Sequence, residues 1–143
     1  MVAAVLALVA RWRRARLVAW VFGLAVILTA VMALNGDQAC VAEMNRHFKA
    51  RHDFFNAGLN ALPGVRVLPA AGTFYAFCDV SGAISKLGLA DDHEFAELLL
   101  DKAGVAGVPG TGFGAPGHIR FSFAVSMQTL EKALERMGKV LGK

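Results

Sequence analysis

Cysteine is scarce in this chain of 143 residues: Cys40 and Cys78 stand far apart and belong to no CxxC or Cys/His cluster. That excludes a disulfide framework and a thiolate metal site, and both thiols read as reduced and half-buried among apolar neighbours. The histidines His47, His52, His93 and His118 lack HExxH or any similar ligand spacing, although the first two share a helical segment, so no metal site is expected. Acidic side chains are absent before Asp37, and from Leu17 to Leu34 there is no charge of either sign. The net charge of +4 traces to Arg11, Arg13, Arg14 and Arg16; without them the remaining basic residues number eleven, equal to the eleven acidic ones. A balanced remainder offers no basic face, which excludes nucleic acid as a partner. There is no internal repeat and no low-complexity tract.

What is present is apolar, at 56% of residues against roughly 45–50% in ordinary soluble domains, and the excess is local. Residues 1–34 form an arginine-rich and apolar N-terminal segment, with the run LVAWVFGLAVILTAVMAL from Leu17 to Leu34. Eighteen helical residues reach about 27 Å, enough to cross a hydrocarbon core, and the arginines before them favour an N-in orientation. The segment reads as a single-pass membrane anchor, with membrane contact through Leu17–Leu34, as an extension not native to the domain, or as an apolar helix that packs on the domain.

From residue 35 to 143 the pattern is that of a folded domain. Val41, Met44, Phe48, His52, Phe55, Leu59 and Leu62 form one helical stripe, with Asn35 or Asp37 available as N-cap and Pro63-Gly64 as the stop. Strands are expected over Val65–Leu68 and Thr73–Val80, joined by a turn at Pro69–Gly72. Asp91, followed by Glu94, is a capping box for a helix ending at Gly104. Val105–Val108 and His118–Ala124 read as two more strands. Ser126 caps a last helix with Leu130, Ala133, Leu134, Met137 and Leu141 on its apolar face. The fold class is α+β: a two-layer sandwich of a small sheet with helices on one face, preceded by an apolar N-terminal helix.

Gly112-Phe-Gly114-Ala-Pro-Gly117 spells GxGxxG, but a strand follows it where a phosphate-binding turn needs a helix, and Pro116 removes an amide. These glycines are expected to shape a tight loop between strands. Just beyond, HIRFSFA alternates: Ile119, Phe121 and Phe123 point to one face, His118, Arg120 and Ser122 to the other. A guanidinium at mid-strand is costly without an anionic partner. The partner is an internal carboxylate, open solvent or a ligand, and spacing alone leaves all three open.

The blocks ALNGDQ, GLNALPGV, PAAGTFYAF, VPGTGFG and GHIRFSFA, with a closing LEKALERM helix, resemble the C-terminal small domain of fold-type I, class I/II pyridoxal-phosphate aminotransferases, the aspartate aminotransferase branch in particular, from about Ala33 onward. The resemblance implies that Arg120 binds the α-carboxylate of an amino-acid or 2-oxo-acid substrate, that the VPGTGFG loop closes over the site, and that the protein is a cytoplasmic homodimer. It implies pyridoxal phosphate as cofactor, held by a lysine of a large domain. Lys49, Lys86, Lys102, Lys132, Lys139 and Lys143 match none of those motifs, so no catalytic or cofactor-binding residue is assigned here, and the chain is expected to be inactive alone. Three readings follow: the small-domain portion of an aminotransferase, a membrane-anchored non-catalytic binding or structural module derived from it, or a chain that complements a separate large domain.

Overall fold

A computed structural model describes the backbone of residues 2–142 and the side chains of residues 18–142. The side chains of residues 1–17, Arg11, Arg13, Arg14 and Arg16 among them, and all of Lys143, lie outside the described residues. Two compact units divide the chain, Met1–Ala42 and Glu43–Lys143.

The first unit is dominated by α1 (Val2–Asn35). Its described side chains show no burial pattern: Trp20, Phe22, Met32 and Leu34 are each more than 70% exposed, and Val18–Asn35 is long and apolar enough to cross a membrane. After α1, the Asp37 carboxylate accepts the Ala39 amide at 2.8 Å and so opens α2 (Ala39–Asn60).

In the second unit a four-stranded antiparallel sheet runs in the order β1-β2-β4-β3, with β1 Arg66–Val67, β2 Tyr75–Asp79, β3 Val108–Pro109 and β4 His118–Ser122. Its period-two alternation splits the side chains cleanly. Val67, Ala76, Cys78, Ile119 and Phe121 face inward and are buried; Tyr75, Phe77, Asp79, His118, Arg120 and Ser122 lie on the other face. The core is closed by Phe55 and Leu59 of α2, Phe95 of α4 (Asp92–Leu98), and Leu130, Met137 and Leu141 of α5 (Met127–Leu141). Phe55 meets Phe121 edge-on at 6.3 Å, as does Phe48 with Phe123. Each such buried side chain contributes about 1.5–3 kcal/mol. The helices gather on the inward face, and the two-layer arrangement is the one that the hydrophobic pattern predicts.

The caps also follow the sequence. Asp91 accepts the amides of His93 and Glu94, while Glu94 reaches back to the Ala90 amide at 2.8 Å. Ser126 accepts the Thr129 amide, and Gly104 ends the Asp91-capped helix in a left-handed conformation.

Four local features differ from expectation. A helix not predicted, α3 (Ser81–Leu87), follows β2; its signals were Asp79, which accepts the Ser81 amide and hydroxyl, and Gly88, left-handed at its end. The last turn of the Asp91-capped helix, Leu99–Ala103, widens to a π turn. The third strand sits at Val108–Pro109 and not Val105–Val108; the Val105 amide is instead bonded back to the Leu99 carbonyl at 3.2 Å. Finally, Cys78 is fully buried, with its thiol pushed up to about 12 by desolvation, and Cys40 is exposed; neither is half-buried.

Gly64 marks a close approach of backbone to backbone. It has φ +76°, and a Cβ there would lie 2.4 Å from the Ala83 amide nitrogen at the start of α3. Gly64→Ala is therefore expected to lower stability by about 2 kcal/mol or more, whereas Gly72→Ala, where a Cβ meets nothing within 4 Å, should stay within about 0.5 kcal/mol. Urea unfolding of both variants checks this, and equal losses would refute it.

Candidate functional site

Arg120 stands in the middle of β4 on the open face of the sheet, opposite Phe77 of β2 and Val108 of β3. Its guanidinium lies between two aromatic rings, 5.3 Å from the centroid of Tyr75 and 4.7 Å from that of Phe113. A cation over an aromatic face gains about 0.5–2 kcal/mol per contact. Among the described residues no ion pair includes Arg120.

The carboxylate sharing this face is engaged elsewhere. Asp79 pairs in register with His118, accepts the Ser81 hydroxyl at 2.6 Å and its amide at 3.0 Å, and lies 3.6 Å from Arg66. The bonds from Ser81 hold its carboxyl below the ordinary aspartate range. His118 stacks on Phe77 at 5.2 Å and 15°, with Nδ1 3.1 Å from the Pro116 carbonyl. A cavity of about 340 Å³ beside them is lined by His52, Asn56, Arg66, Asp79 and His118, among others; Arg120 is not part of its lining.

Phe113 is held in place by its loop. Gly110–Phe113 form a single 3₁₀ turn, closed at Gly114 with φ +74° and by the Ala115 amide on the Gly110 carbonyl at 3.0 Å. The GxGxxG glycines thus shape a tight inter-strand loop. The turn is pinned by Asp92, which is fully buried and accepts the Thr111 amide and hydroxyl, both at 2.7 Å. Burial pushes the Asp92 carboxyl up, but the Thr111 bonds outweigh it and hold the group below its ordinary 3.8. Sequence reading singled out Arg120 but missed Tyr75, Phe113 and Asp92. Their only signals were aromatic strand residues, a loop phenylalanine and a second aspartate after an N-cap, each common without any site.

The chain is similar to known proteins. The sequence profile of the family Aminotransferase class I and II matches residues 1–137. An aspartate/prephenate aminotransferase of Nitrosomonas europaea is 42% identical over 80% of this chain and 30% of its own length. The crystal structure of the aspartate aminotransferase from Rhizobium meliloti superposes with a TM-score of 0.71 at 34% identity, over 78% of this chain and 29% of that one. The aspartate aminotransferase from Thermus thermophilus with maleate superposes with a TM-score of 0.61 at 42% identity, over 71% and 25%. The chain belongs to the class I and II aminotransferase family. It spans under a third of the length of these relatives, and the family match begins upstream of Ala33, where the recognisable motifs start.

The family implies pyridoxal phosphate. Among the described residues no strand carries a lysine: Lys49 and Lys139 are tied to Asp53 and Glu135 at 2.8 and 2.6 Å, Lys86 donates to the Leu141 carbonyl at 3.3 Å, and Lys102 and Lys132 lie on the π turn and α5. The described lysines therefore do not fit the cofactor's covalent attachment.

Thr111→Val removes the hydroxyl bond and leaves a buried Asp92 oxygen unpaired. Stability should fall by about 1–3 kcal/mol at pH 7. Because the folded-state value of Asp92 is depressed, its contribution is present above the ordinary 3.8 and is lost as pH falls below it. Urea unfolding at pH 7 and pH 3 should show the difference between the two proteins narrowing in acid; a difference independent of pH would contradict the assignment.

Proposed function

We propose that the open sheet face is the substrate-carboxylate end of an aminotransferase site, in which Arg120 pairs with the α-carboxylate of an amino-acid or 2-oxo-acid substrate. One observation carries this reading: a half-buried guanidinium, flanked by Tyr75 and Phe113, with no ion-pair partner among the described residues. Its planar fork matches a carboxylate with two parallel N–H donors. The relative from Thermus thermophilus, whose structure was determined with maleate, lends support through the shared carboxylate chemistry. Tyr75 and Phe113 act as positioning residues, and the pinned 3₁₀ turn keeps Phe113 over the cation.

When bound, pyridoxal phosphate supplies the carbonyl chemistry of amino transfer. The described lysines are not placed to hold it, so this chain by itself is proposed to bind the carboxylate without transferring the amino group. Titrating maleate into the labelled chain should move the Arg120 Nε–H resonance, and Arg120→Lys should weaken binding by about tenfold, the cost of losing one charge-assisted hydrogen bond. Unchanged binding in the variant would exclude this role. Borohydride treatment with pyridoxal phosphate should trap no stoichiometric lysine adduct.

A second reading, a membrane anchor, is favoured by α1, whose described residues are exposed and apolar around the helix. A bilayer is the solvent that such a surface suits, with the preceding arginines at anionic headgroups. The tagged chain should resist carbonate extraction from membranes and become extractable when residues 1–33 are deleted; extraction of both would rule out anchoring.

A further inference from the structure

The second unit holds one buried polar cluster that the carboxylate site does not use. His52 of α2 lies beneath the Pro69–Thr73 turn, its Nε2 3.1 Å from the Ala70 amide nitrogen and 2.9 Å from Asn56 Nδ2. A backbone amide can only donate, so Nε2 carries a lone pair and the ring proton is on Nδ1, 3.0 Å from Asp53 Oδ1. The Asn56 amide must then turn its nitrogen to the ring. This leaves Asn56 Oδ1 buried with no hydrogen-bond partner, on a side chain only 8% exposed. The single Nε2 lone pair faces two donors here, Ala70 N–H and Asn56 Nδ2, and a second proton on the imidazole would remove that acceptor and exchange which Asn56 amide atom is left unpaired.

We propose that His52 is a proton-operated latch on the Pro69–Thr73 turn, holding Ala70 when neutral and releasing it when protonated. One proton from water is taken up on Nε2. The new N–H cannot face the Ala70 N–H, since both donate. A half-turn of the Asn56 amide presents Oδ1 to it, and the freed Ala70 amide, on an exposed residue, passes to water. The Nδ1–H bond to Asp53 persists in both states.

The surrounding charges act in both directions. Asp53, the anion nearest the ring, shares its carboxylate with Lys49 at 2.8 Å. Across the cavity of about 340 Å³ on the sheet side stand Arg66, Asp79 and His118. On the far side a second cavity of about 690 Å³ adds Lys49 and Asp53 again. From β4's end the ring meets only the edge of Phe123, at 5.8 Å.

Release would reach the open face through a short path. Thr73 has φ +80°, a left-handed conformation that a β-branched residue keeps only when its neighbours enforce it. Ala70 is one such constraint, three residues away. Beyond Thr73, the Phe74 carbonyl accepts the Phe123 amide at 2.9 Å, and Tyr75 flanks Arg120. The latch itself does not depend on what Arg120 binds.

The test is an NMR titration of the isotopically labelled full chain from pH 8 to pH 5, the window in which imidazoles change charge. The expected result is a lone pair on His52 Nε2 at pH 8 and an N–H there at pH 5, with the Ala70 amide shift following the same midpoint. Hydrogen exchange at Ala70, corrected for the intrinsic pH effect, should rise about fivefold, equivalent to one hydrogen bond of about 1 kcal/mol. His52→Gln can still accept from Ala70 but cannot titrate, and should abolish the inflection. An Ala70 amide that does not respond while His52 protonates, or an inflection that survives in His52→Gln, would overturn the proposal. The wild-type readings decide the matter even if the variant fails to fold.

Discussion

The two-residue period of β4 is the constraint on which the rest depends. Ile119 and Phe121 must face the helices to close the core, and with them fixed inward Arg120 can only face outward. The same period places Tyr75 and Phe77 outward on β2, and the register brings Phe77 opposite the arginine. A one-residue slip would bury the cation and expose the core together, so the energy that assembles the hydrophobic layer also displays the guanidinium. Burial of a few large side chains, at about 1.5–3 kcal/mol each, far outweighs any preference of Arg120 for a particular partner. The site is thus a consequence of the core.

What gives the arginine its setting is less regular. Phe113 reaches it from a 3₁₀ turn, and that turn is fixed by a carboxylate from another helix, Asp92. A fully buried carboxylate is tolerated because two short bonds from Thr111 satisfy it, and the energy cost of leaving it unpaired makes the link specific. The VPGTGFG block, which the family resemblance implies is a small-domain edge that closes over the site, is tied at Thr111 to Asp92. Asp79, the carboxylate of the same face, is engaged by Ser81 and Arg66.

Much of the fold was legible because its signals are local. Asp91, Ser126 and Gly104 mark helix ends through hydrogen bonds within one turn of chain, the alternation of HIRFSFA is periodic, and the predicted stripe from Val41 to Leu62 packs on the core from Phe48 onward, while Val41 and Met44 are exposed. The helix α3 was equally local in its signals, Asp79 before Ser81 and Gly88 at the end, but it is seven residues long, too short for a periodicity to stand out. The π turn at Leu99–Ala103 has no residue signature, and the strand that follows it lies at Val108–Pro109.

The amino-acid sequence by itself determined which side chains could enter the core, where most helices begin and end, and that Arg120 must stand on the opposite face from Ile119 and Phe121; these follow from backbone geometry over a few residues. Only the tertiary structure decided that Tyr75 and Phe113 enclose the cation, that Asp92 braces the turn, and that His52 reaches Ala70. Each of those contacts joins elements separated along the chain, and their meeting is set by packing of the whole sheet and its helices, which no local pattern encodes.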